Sequence, residues 1–120
     1  MEFLEGFPEN VVAVSAKGKV TKSDYEAILI PAAERAFQKH GKIRFYYRMG
    51  SEFLGLEPGA AWEDFKVGIS HWQGWERVAV VTDVEWIRHA AGAFAFLMPA
   101  QVRAFPVSQE AEARGWITGS

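Results

Sequence analysis

Trp75-Glu76-Arg77-Val78-Ala79-Val80-Val81-Thr82-Asp83-Val84-Glu85-Trp86 is the stretch that decides the fold. Val78 to Val81 is an apolar run with three valines and no alternation. That is the pattern of a strand covered on both faces, as inside a mainly parallel sheet. Thr82 and Asp83 end the run, and either side chain can cap a helix beginning near Val84. Strand, short turn and helix in this order make half of a βαβ unit.

Toward the C-terminus, Trp86, Ile87, Ala90, Ala91, Phe94, Phe96 and Leu97 place a helix over 84–97, which Pro99 stops. Val102 to Phe105 reads as a last short strand, at an edge because Pro106 follows it. Ser108 is placed to cap a final helix running to about Trp116. Toward the N-terminus, Ala61, Trp62, Phe65, Ile69 and Trp72 recur at helical spacing, so 60–72 reads as a helix ended by Gly74. Gly50 to Gly59 reads as a loop, with three glycines, one proline and no sustained period.

Ile43, Phe45, Tyr47 and Met49 alternate with Arg44, Tyr46 and Arg48, which predicts a strand over 42–49 with one wetter face. Thr21-Lys22-Ser23-Asp24 is a capping-box variant with Asp24 in the place of Glu. It opens a helix carrying Tyr25, Ile28, Leu29, Ala32, Ala36 and Phe37. Pro31 predicts a kink, and Gly41 lies beyond the end. Phe3 to Phe7 and Val11 to Ala16 flank Pro8-Glu9-Asn10 and read as an N-terminal hairpin. The expected order is β-β-α-β-α-β-α-β-α, an α/β domain over 1–120. Its single sheet is mainly parallel, with the first strand antiparallel.

Composition narrows the function classes. A chain of 120 residues with 49% hydrophobic and 14% aromatic content has ample material for one core. It has no cysteine, which removes disulfides and thiol catalysis. Met1-Glu2-Phe3-Leu4-Glu5 lacks a basic and then apolar leader, so no signal peptide is expected. Nothing approaches a membrane span. A net charge of −2 argues against nucleic acid as the main partner. The basic excess of the first 50 residues lies mostly in Arg35, Lys39, Lys42, Arg44 and Arg48, read as a solvated face that could also serve as an anion patch.

The chain resembles the SpoIIAA-like family, whose fold is shared with STAS domains and related to that of CRAL-TRIO lipid carriers. The resemblance is carried by Lys17-Gly18-Lys19-Val20-Thr21, Asp24-Tyr25 with Pro31, and Trp62-Glu63-Asp64-Phe65-Lys66. Arg77-Val78-Ala79-Val80-Val81-Thr82-Asp83 with Trp86, and Val102-Arg103-Ala104-Phe105, complete it. These are mostly packing residues, and they mark a fold better than a function. The resemblance implies a small bacterial cytoplasmic protein that binds or regulates rather than catalyses. In anti-sigma factor antagonists the switch is a serine in an Asp-Ser-Ser/Thr-Gly motif, where phosphorylation adds about two negative charges to an interface. The matching region here is Met49-Gly50-Ser51-Glu52, with no Asp before Ser51 and Glu52 after it. That departure argues against a phosphoswitch at Ser51.

Catalytic signals are sparse. His40, His71 and His89 are far apart and in no zinc-type spacing, and neither a nucleophile elbow nor a dinucleotide glycine pattern occurs. No metal, cofactor or catalytic residue is expected. Asp83 stands at the carboxyl end of the central strand, where open α/β sheets place ligands, and is also placed to cap the next helix. Trp62 and Phe65 on one helix, and Trp86, Phe94 and Phe96 on the next, exceed what one core-facing stripe needs. These residues are therefore the expected contact set. Two classes of role follow: an apolar or lipid-like small molecule between helices 60–72 and 84–97, or a protein partner, a homodimer included.

Overall fold

The computed structural model describes residues 1–59, 74–97 and 100–119. Along the chain run β1 (Glu2–Phe3), β2 (Val11–Ser15), β3 (Gly18–Val20), helix α1 over residues 22–40, β4 (Ile43–Met49) and β5 (Phe53–Leu56). β6 (Trp75–Thr82), α2 (Glu85–Leu97), β7 (Gln101–Phe105) and α3 (Glu110–Thr118) follow. The helix expected over 60–72 falls outside the described residues. The main sheet has the spatial order β1-β2-β4-β6-β7. Only the β1–β2 pair is antiparallel.

β6 has the interior place its apolar run implies, paired with β4 on one side and β7 on the other. Because side chains alternate across a strand, Val80 joins one apolar layer and Ala79 and Val81 the other. The first layer packs Val12, Val14, Phe45 and Tyr47 under Tyr25, Leu29 and Phe37 of α1, with Ile87 and Ala91 of α2. The second holds Val11, Ala13, Tyr46 and Phe105 under Ala113 and Ile117 of α3.

α1 starts as its sequence predicts. Thr21 Oγ1 accepts from Asp24 N at 3.2 Å, and Asp24 Oδ2 accepts from Thr21 N at 2.8 Å. The helix continues through Pro31 by widening just before it, with a π turn over Tyr25–Leu29 in which Ile30 N–H reaches Tyr25 O. The extra residue eases the clash between a proline ring and the carbonyl four positions back. Gly41, at φ 74, closes the helix by donating to Phe37 O.

Two expectations are corrected. The stretch from Gly50 to Gly59 is not all loop, because Phe53–Leu56 pairs in parallel with Gly18–Val20 as a small second sheet. Both strands are too short for periodicity to reveal, and they find each other only because β2 and β4 deliver them side by side. Ser108 does not cap the final helix. A 3₁₀ turn over Val107–Gln109 after Pro106 moves the helix start past it, and Gln109 holds the cap position with no side-chain bond. The wetter face of β4 is present as expected, since Arg44 and Arg48 are partly exposed while Ile43, Phe45, Tyr47 and Met49 are buried. Tyr46 is fully buried, and Arg44 lies under the end of α3, donating from Nη1 to Ile117 O at 2.9 Å and to Gly119 O.

Tyr46 donates to Glu110 Oε2 at 3.1 Å, and Arg48 Nε sits 2.8 Å from the same oxygen. Burial, and then the Glu110 charge, push the tyrosine up to about 12 from 10.0. A raised folded value means that its contribution is complete below pH 10.0 and is lost as pH rises through about 12. Urea denaturation across that window is expected to show a steeper alkaline loss of stability in the wild type than in Tyr46→Phe. Equal slopes would remove Tyr46 as the cause.

Candidate functional site

The outward face of α2 carries two of the expected contact residues, Trp86 and Phe96. The helix begins after Thr82, whose Oγ1 accepts from Val84 N at 3.1 Å, and Arg88 N donates to Val84 O. At about 100° per residue, Ile87 and Ala91 fall on one side and are buried at 6% and 9% exposure. Trp86, His89, Ala90, Ala93 and Phe96 fall on the other and are exposed. Trp86 is 58% exposed and Phe96 95%. A phenylalanine almost wholly in water forgoes about 1.5–3 kcal/mol of burial. Trp86 and Phe96 lie ten residues apart, so the two rings bracket about 15 Å of helix. His89, Ala90, Gly92 and Ala93 between them are small or flat and give the helix a shallow waist.

Asp83 is exposed at the carboxyl end of β6 as expected, and its carboxylate has a structural partner. Oδ1 accepts from Val107 N at 3.0 Å, joining the β6–α2 turn to the turn after β7. Ser51 is exposed in the turn between β4 and β5, where Phe53 N donates to Gly50 O. Trp62 and Phe65 lie outside the described residues, as does the side chain of Phe94. So Trp86 and Phe96 share one exposed helix face, while Asp83 and Ser51 lie in turns.

The basic residues do not form one patch. Arg35 and Lys39 stand on the outer side of α1 beside β1 and β2, whereas Arg44 and Arg48 bond to α3 and its first residue. No group of three His, Asp or Glu among the described residues could hold a metal ion. Among them, too, no helix is long and apolar enough to cross a membrane.

Beneath α1, buried aromatics form a chain that the sequence reading passed over. Tyr25 and Tyr47 share a hydrogen bond between their hydroxyls at 2.8 Å. Phe45 stacks obliquely on Tyr47 at 5.3 Å and on Trp75 at 5.9 Å, and Phe37 meets Trp75 edge-on at 4.9 Å. Trp75 is 6% exposed, and its Nε1–H meets no acceptor among the described residues. A buried indole N–H ordinarily finds a partner. The signal was its place at the head of the organising strand, opposite Ile43.

None of the curated proteins matches this chain. Among solved structures, it is similar to the crystal structure of an uncharacterized protein of the DUF3478 family, with a SpoIIAA-like fold, from Shewanella loihica PV-4. The TM-score is 0.72 at 28% identity, over 89% of this chain and 83% of that one. The family model described as SpoIIAA-like matches residues 11–118, from the first residue of β2 to the last of α3. With nearly every described element inside that match, the chain belongs to the SpoIIAA-like family.

Proposed function

We propose that this protein is a non-catalytic binding and regulatory module, and that the outward face of α2 is its contact surface for a second copy of the chain. The observation that carries the reading is Phe96 at 95% exposure, with Trp86 at 58% on the same helix. The face is self-complementary. An antiparallel two-fold centred on residue 91 sets each Trp86 beside the other copy's Phe96 and each His89 against the other's Ala93. The shallow waist lets the helices approach closely, as small residues do wherever two helices cross tightly.

A helix face of this size makes a small interface, at the weak end of specific association. Each substitution counts twice across a two-fold. Phe96→Ser is therefore expected to weaken dimerisation tenfold or more, with the far-UV circular dichroism of the folded chain unchanged. Sedimentation velocity over a concentration series checks it. A wild-type chain that stays monomeric at high micromolar concentration would overturn the dimer.

A second reading is an apolar small molecule bearing one hydrogen-bond acceptor, for which the Trp75 Nε1–H, without an acceptor among the described residues, is the supporting observation. Native mass spectrometry on protein purified without detergent separates the two. A doubled mass without added ligand supports the first reading, and a retained small mass on a monomer supports the second.

A further inference from the structure

A cleft of about 360 Å³ lies at the other end of the molecule, between α1 and the β1–β2 edge of the sheet. Its apolar wall is Phe3, Leu4, Val12, Ala32 and Ala36. Ala32 and Ala36, one helical turn apart, leave open the space that larger residues would fill. Phe3 stands 49% exposed at the sheet edge beside it. The rim is charged. Lys39 Nζ lies 2.6 Å from Glu9 Oε2, and that bond, with the lysine's charge, holds the Glu9 carboxyl below its ordinary range. Those two charges cancel. Arg35, on the same rim, is exposed and has no ion-pair partner among the described residues. His40 completes the rim. The cleft therefore joins an apolar wall to one uncompensated guanidinium.

We propose that this cleft binds a single-chain carboxylate, its acyl chain along Ala32, Ala36 and Phe3 and its head group on Arg35. One net positive charge matches a monoanion, and a planar guanidinium pairs with a carboxylate through two parallel hydrogen bonds. The volume is at the low end for small-molecule sites, about 300–1,000 Å³, which suits one chain of modest length.

Isothermal titration with decanoate below its micelle concentration is the test, with acetate, decanol and inorganic phosphate as controls. Decanoate is expected to bind saturably at one site and the controls at least tenfold more weakly. Arg35→Ala removes the charge, and Ala36→Phe fills the cleft without touching it; each is expected to lower decanoate affinity tenfold or more. Amide shifts on binding should fall in residues 3–13 and 32–40. Phe96→Ser should leave this binding unchanged, so a failure of the dimer reading and a failure here are separate results. Absence of saturable binding, equal affinity in both cleft variants, or shifts centred on α2 would each overturn the proposal.

Discussion

Val80→Asp is expected to yield no folded protein, and Val81→Asp the same. The two side chains point into opposite layers, Val80 under the α1 and α2 side and Val81 under α3. Val80 is 9% exposed and Val81 fully buried, and β6 is bonded on both edges. An aspartate at either position is a charge with no partner and no water. Leaving a buried charge uncompensated costs about 3–5 kcal/mol. Loss of the valine's own burial adds about 1.5–3 kcal/mol. The sum rivals the whole stability of a small domain, about 5–15 kcal/mol. Circular dichroism and thermal melts of both variants decide it. If one variant melts like the wild type, the layer that it faces is not part of the core.

That strand was legible because four apolar residues in a row admit few readings beside a turn signal such as Thr82-Asp83. α1 was legible because Thr21 and Asp24 carry a local hydrogen-bond pattern that needs no tertiary partner. β3 and β5 were not, since their pairing depends on where β2 and β4 end, and Gly55, at φ 134, gives no apolar period. The partners of Arg44 and Arg48 on α3 were hidden for a different reason. A polar residue that reaches water and one that reaches buried carbonyls alternate identically along a strand. Phe96 could be placed off the core by its angle on the helical wheel alone. The edge cleft could not be foreseen, because it is made by two alanines of α1 and by residues 3–13 on the neighbouring strands.

Arg44 supports the second large expectation. Helices end with carbonyl groups lacking intrahelical donors and with a partial negative charge. At the end of α3 two strand arginines supply what is missing. Arg44 donates to Ile117 O and Gly119 O, and Arg77 Nη1 donates to Trp116 O at 2.6 Å and Gly119 O at 3.4 Å. The Arg77 guanidinium also lies 5.4 Å from the centre of the Trp116 ring. Arg44 pairs with Glu76 besides, but that carboxylate is 44% exposed and returns to water at little cost. Ile117, whose carbonyl Arg44 also holds, is fully buried and has less recourse. Hydrogen bonds from a charged donor are worth about 1.5–3 kcal/mol each. Arg44→Met is therefore expected to cost about 2–4 kcal/mol, and Arg44→Met with Arg77→Met about 3–6 kcal/mol. Glu76→Gln, the control, should cost under about 1 kcal/mol. Arg44→Lys should recover only part, because an ammonium lacks the fork that reaches two carbonyls. Urea denaturation gives the totals, and hydrogen exchange shows where they act. Amides of residues 113–118 should lose protection before those of β4 and β6, since Ala113 and Ile117 are what α3 buries in its layer. If those amides keep their protection in the double variant, α3 is held by its apolar residues alone and the arginines only cap it.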